Sequence, residues 1–151
     1  MRFIKLGIIS IIVFSLLITL ISFLFPSRVR ISKAIDINSN RETIMLQLRD
    51  TASWRKWYPG ADSAIVLPLI RDITDSSVTA ESALDNGRKG QTGWNVYEAA
   101  IPNTVTVQWY MDFRLRWYPW EKFSGLLLEK RYGPVIEKGL EKLKFLMEQQ
   151  L

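Results

Sequence analysis

The chain has 151 residues, a net charge of +5 and neither histidine nor cysteine. Those absences exclude disulfides, thiol chemistry and every Cys–His or Ser–His catalytic arrangement, and they leave only oxygen ligands for a metal. Once Arg2 and Lys5 are assigned to the start of the chain, about +3 remains for the rest with no basic run in it, so nucleic acid is not an expected partner.

No charged residue occurs between Leu6 and Phe25. At about 1.5 Å per residue a helix of that length reaches roughly 30 Å, the thickness of a bilayer's hydrocarbon core. A cleaved signal peptide, with Met1-Arg2-Phe3-Ile4-Lys5 as its charged start, is the alternative. It fits less well, because the apolar run exceeds the usual length of about 7–15 residues and residues 23–27 offer no Ala-x-Ala-like cleavage site.

Residues 1–26 are therefore expected to form a single-pass membrane anchor of bacterial type, with the lipid bilayer as partner, and residues 27–151 to form one domain. Ser15, Thr19 and Ser22 share a helical face, which serves either a helix–helix contact or bonds to the helix's own backbone. Arg2 and Lys5 on one flank are balanced by Arg28, Arg30 and Lys33 on the other, so the positive-inside rule leaves the side of the membrane open. Absence of cysteine suits either compartment.

From Arg28 to Ile37 the odd positions Val29, Ile31, Ile35 and Ile37 are apolar, which predicts a strand whose apolar series is interrupted by Lys33. Asn38-Ser39-Asn40 offers helix-start residues before a short helix over Arg41 to Leu48, and a further helical turn is expected within Thr51 to Trp57 before Pro59-Gly60. Ala64 to Ile70 and Ser77 to Leu84 read as strands, and Asp85-Asn86-Gly87 is the residue pattern of a tight hairpin turn. In Gln91 to Ile101, Trp94 and Val96 favour one face while Tyr97, Ala99 and Ile101 favour the other, which predicts a bulge. Pro102-Asn103 turns the chain.

The clearest strand is Thr104 to Trp117, where Val105, Val107, Trp109, Met111, Phe113, Leu115 and Trp117 alternate with polar residues. From Trp120 to Gln150 the period becomes helical, with Tyr132, Ile136, Leu140, Leu143 and Met147 as an apolar stripe and Gly133-Pro134 as a place to bend or interrupt it. The fold class is α+β: antiparallel strands whose apolar face must be covered by the long C-terminal helix.

This order of elements, together with Lys33-Ala34-Ile35-Asp36-Ile37-Asn38, Asp50 followed by Trp54-Arg55-Lys56-Trp57-Tyr58-Pro59, and the ending Gly133-Pro134-Val135-Ile136-Glu137-Lys138-Gly139-Leu140-Glu141-Lys142-Leu143-Lys144, resembles the SRPBCC proteins, the START-like polyketide cyclase and lipid-transport superfamily. The likeness covers roughly Val29 to Met147. It implies a helix-grip fold, a curved antiparallel sheet wrapped around the C-terminal helix with an apolar cavity between them. Two departures bear on that cavity: the stretch between Gly60 and Gly90 is short for the strands the family usually has, and Ser39-Asn40 stands where Ala-Pro is common. A reduced cavity, or none, is expected.

No catalytic constellation is visible. Asp72, Asp75, Glu81 and Asp85 lack the spacing of a calcium loop, and no glycine-rich phosphate loop occurs, so no metal or cofactor is expected. Asp112 or Glu98 with Tyr97 or Tyr110 could supply a general base, but Asp112 and Tyr110 belong to the polar series of their strand and read as surface. Lys33 either meets an acidic ligand headgroup, or snorkels at the strand end or pairs with a carboxylate. Trp117 and Trp120, beside Pro119, are expected to be partly exposed, at a cavity mouth or a bilayer interface. Gly139, on the apolar helix face, reads as a close-packing position.

The functional expectation is a membrane-tethered, non-catalytic domain that takes a small hydrophobic or lipid-like ligand between sheet and helix, with Trp94, Trp109, Met111, Phe113, Tyr132, Ile136 and Leu140 lining the site. The alternative is a ligand-free protein-interaction domain at the membrane, with an apolar patch around Trp54, Trp57 and Trp120 over a solid core, its protein partner carrying no signature in the sequence. An enzyme of cyclase, dehydratase or hydrolase type is the third reading.

Overall fold

The computed structural model describes residues 2–61, 67–83 and 89–149, with only the backbone of Arg2 and Lys89. The turn expected at Asp85-Asn86-Gly87 and the start of the strand expected at Ala64 lie outside those residues. A first helix, α1, runs Arg2–Ser22 and is long and apolar enough to cross a membrane. Two of its hydroxyls bond their own backbone, Thr19 donating to the Ser15 carbonyl at 2.8 Å and Ser22 to that of Thr19 at 2.7 Å, yet Ser22 is also buried where α1 meets the C-terminal helix.

The strand β1 (Arg28–Ile37) is followed by α2 (Arg41–Arg49), whose start is held by Asn40 accepting from the Thr43 backbone N–H at 2.8 Å. A single turn, α3 (Trp54–Trp57), follows, and Gly60 takes a φ of 84° that a side chain would resist. Then come β2 (Leu69–Ile73), β3 (Ser77–Ala83), β4 (Lys89–Glu98), β5 (Val105–Arg114) and the long helix α4 (Pro119–Glu148). The strands form one antiparallel sheet in the order β1-β5-β4-β3-β2.

One expectation is corrected, and of the bend or interruption expected at Gly133-Pro134 the interruption does not occur. β4 pairs in unbroken register with both neighbours and ends at Glu98, so it carries no bulge; Thr92, Trp94 and Val96 face inward, and Ala99 and Ile101 fall beyond the strand. The register shift lies in β2, between Ile70 and Asp72. In α4 the chain runs helical through Pro134 without interruption. Pro134 is exposed, so the Lys130 carbonyl that loses its partner faces water.

α4 lies chiefly over β1 and packs closely because glycines face the domain. A Cβ at Gly139 would run into the Trp109 ring and lie 2.9 Å from Pro59, and one at Gly125 would meet Leu115 at 2.5 Å. The core is continuous from Ile31 and Ile37 through the sheet's inner face to Ile136, Leu140, Leu143 and Met147.

Candidate functional site

All seven residues expected to line a cavity lie at the junction of sheet and α4. Trp94 and Trp109 are register partners on β4 and β5, Met111 and Phe113 continue the same inner series, and Ile136 and Leu140 face them from α4. Tyr132 is half-buried, its ring 4.8 Å from that of Phe113.

The space between α4 and strands β3 and β4 is filled by α3. Trp54 and Trp57 point inward and join Trp94 and Trp109, all four with no exposed surface, and Tyr58 packs among them. Ring centroids lie 5.0 Å apart for Trp54–Trp94, 5.4 Å for Trp94–Trp109 and 5.3 Å for Tyr58–Trp109. Tilted and edge-on pairs of this kind are favourable arrangements for aromatic rings. The apolar patch expected around Trp54 and Trp57 therefore does not exist at the surface; of that set only Trp120 is exposed.

The indole N–H groups divide into two pairs. Trp54 donates to the Leu48 carbonyl at 3.0 Å, and Trp109 donates at 2.7 Å to the Thr92 hydroxyl, which itself donates to the Tyr110 carbonyl at 3.1 Å. The N–H groups of Trp57 and Trp94 are buried with no acceptor among the described residues. A buried donor left unpaired costs about 1–3 kcal/mol, which makes these two atoms conspicuous in an otherwise apolar cluster. Burial among the rings pushes the Tyr58 hydroxyl up to about 12.

The charged candidates are engaged by partners of opposite sign. Lys33 pairs with Glu129 of α4 at 3.1 Å, and Glu98 sits 3.7 Å from Arg41 at the surface. Asp112 receives two hydrogen bonds from Arg30, both 2.7 Å. Arg30 also lies over the Tyr110 ring, 4.4 Å from its centroid, and Tyr110 covers Gly93, its register partner, where a Cβ would come within 2.5 Å of the hydroxyl. Donation to Asp112 raises the Arg30 guanidinium above its usual value against the effect of burial, while burial raises the Tyr110 hydroxyl and the neighbouring Arg30 opposes that rise.

These groups belong to a feature the sequence did not disclose. Arg30, Asp112, Gln91 and Glu81 are successive register partners across β1, β5, β4 and β3 on the outer face, and Arg71, in the β2 irregularity, closes on Glu81 at 2.6 Å. Arg28 and Arg114 stand opposite each other at the rim. Together they border an open cleft of about 640 Å³, of which Phe113 is the only member of the expected cavity set. Its signal was present as polar residues in each strand, but only the register aligns them.

No family model and no curated protein matches the chain. Solved structures do. A START superfamily protein from Mycobacterium smegmatis matches 81% of this chain over 99% of its own, at 15% identity and a TM-score of 0.50. The fold is START-like. A protein of unknown function from Staphylococcus aureus gives a TM-score of 0.58 at 8% identity, covering 82% of this chain and 96% of its own. The di-domain ARO/CYC StfQ from the steffimycin biosynthetic pathway gives 0.52 at 6% identity, covering 82% of this chain and 51% of its own. At these identities the likeness carries the architecture and no activity.

Proposed function

We propose that this chain is a non-catalytic START-like binding domain, tethered to a membrane by α1, that meets its partner on the outside of the grip. The observation that carries the reading is the tryptophan cluster: the volume a helix-grip domain offers a ligand is taken by Trp54, Trp57, Trp94 and Trp109, whereas the cleft across the outer sheet face is open and lined largely by charged residues. Arg30 paired with Asp112 and Arg71 paired with Glu81 give that cleft a charged floor, with Arg28 and Arg114 at its rim, which suits a polar, charged protein segment. The tether rests on the length and apolarity of Phe3–Ser22, which is exposed along nearly its whole length, with Ser22 at its end buried against α4. Arginine pairing of Asp112 and Glu98 speaks against either as a general base.

A second reading, a small apolar ligand bound at Trp94, Trp109, Met111, Phe113, Tyr132, Ile136 and Leu140, is favoured by the unpaired N–H groups of Trp57 and Trp94, which a ligand carrying an acceptor atom would satisfy. Native mass spectrometry of the full chain ejected from lipid nanodiscs separates the two. The first reading expects the bare protein mass and, in native membranes, photo-crosslinks from Gln91 in the cleft but not from Glu137 on the outer side of α4. A defined apolar species that survives ejection, and is lost in a folded Trp57→Phe, Trp94→Phe variant, replaces it with the second.

A further inference from the structure

The end of the domain nearest α1 is built unlike the rest of its surface. α1 packs its last turns against the start of α4, and the link is tied down: Lys122, buried, donates to the Phe25 carbonyl at 3.0 Å and to the Ser27 hydroxyl at 2.6 Å, and the Phe25 and Phe123 rings meet at 5.3 Å. The Leu115 backbone N–H donates to the Ser27 carbonyl at 2.8 Å, which fixes the end of β5 to the same point. The first turns of α4 and the Trp117–Trp120 turn are thereby held beside the end of α1.

On that rim large apolar side chains face outward. Trp117 and Trp120 are 60% and 68% exposed, and Tyr118 stacks on the Trp120 ring at 4.9 Å and meets the Trp117 ring, tilted, at 4.7 Å. Trp120, Phe123 and Leu127 follow at helical spacing on the exposed side of α4, while Lys122 and Gly125 face the domain. Beside them stand Arg28, Arg114 and Arg116, all exposed, and among the described residues no carboxylate pairs with their side chains. Arg28 and Arg114 oppose each other across β1 and β5, an arrangement of like charges that is unfavourable unless an anion lies near.

We infer that this rim is a membrane-docking collar, seated in the headgroup layer of the bilayer that α1 enters, with the three arginines on anionic phospholipids. The inference rests on the reading of α1 as a membrane span. Tryptophan and tyrosine favour the interface because one end of the ring system is apolar and the other polar, and cations next to a span gain from anionic headgroups. Continuity of the collar with α1 makes the bilayer its occupant. The domain then stands at a fixed angle to the membrane, and its outer cleft, which shares Arg28 and Arg114 with the collar, opens beside the lipid surface.

The test uses the full chain in nanodiscs of phosphatidylcholine with phosphatidylglycerol, reading tryptophan emission against lipids brominated near the headgroup and against aqueous iodide. α1 carries no tryptophan and the other four indoles are buried, so the signal reports Trp117 and Trp120. Bromolipid is expected to quench a distinct fraction of the emission and iodide little of it. The folded Trp117→Phe, Trp120→Phe variant should lose that quenching several-fold, and Arg28→Gln, Arg114→Gln, Arg116→Gln, or discs without phosphatidylglycerol, should restore iodide access. A chain that co-elutes with discs but is quenched by iodide and not by bromolipid overturns the collar and leaves the tether standing. Failure to co-elute overturns the tether and the collar with it. Shielding that appears only in discs holding two chains assigns the rim to a second copy instead.

Discussion

Two regions of this molecule use the same residue type in opposite ways. In the middle of the sheet Trp54, Trp57, Trp94 and Trp109 are wholly buried against one another and against α4, whereas at the end beside α1 Trp117 and Trp120 stand largely in the open over a junction tied by a buried lysine. Roughly 17 Å of β1 separates Lys33, the register partner of Trp109, from the chain's entry at Arg28, at about 3.3 Å per residue. The contrast teaches that aromatic richness in a small domain has no single meaning: one cluster is packed into the core between sheet and helix, and the other faces outward.

The sharpest way to break the comparison is to truncate one ring from each region. Trp94→Ala should cost about 3–5 kcal/mol in chemical unfolding, since a buried ring leaves a cavity, while Trp117→Ala should stay within about 0.5 kcal/mol. Equal losses would show that the exposed collar also supports the fold.

Overfilling is the next test. Gly139→Ala places a methyl group against Trp109 and Pro59 and is expected to lower stability by about 1–3 kcal/mol despite alanine's better helix propensity; a gain would mean that α4 can lift from the cluster. At the junction, Lys122→Met removes the donor to Phe25 and Ser27. About 1 kcal/mol is expected there. Its signature is faster amide exchange confined to the link around residue 25 with the tryptophan cluster unchanged, and protection lost throughout would mean the two regions fold as one unit.

The smallest effect is a pH dependence. Burial holds the Tyr58 hydroxyl at about 12 in the folded protein against an ordinary value of 10.0, so the folded form keeps its proton where the unfolded chain releases it. The sign follows directly: this contribution is fully present below pH 10 and is lost as pH rises toward 12. Unfolding measured across that window should show a shallower decline in Tyr58→Phe than in the parent, and identical slopes would place Tyr58 in contact with water.

Much of the fold was legible because the signals are local. Alternation gives β1 its ends at Arg28 and Ile37 and most of β5, the capping residue Asn40 starts α2, and the stripe Ile136, Leu140, Leu143 and Met147 faces the sheet as its period requires. Lys33 found a carboxylate, one of the outcomes its place in an apolar series allows. The bulge was misplaced because Ala99 and Ile101 extend the apparent pattern beyond the true end of β4, and no local signal marks the β2 irregularity next to Arg71.

By itself, the sequence determined the class of architecture and the apolar N-terminal helix, because hydrophobic period and helix length are properties of neighbouring residues. Whether the grip is hollow was decided only in three dimensions, when a single turn carried Trp54 and Trp57 into the space between sheet and helix. The outer cleft likewise exists only through strand register, since Arg30, Asp112, Gln91 and Glu81 come from four different strands. Periodicity says which face a side chain takes; it carries no information on what another segment will place opposite it.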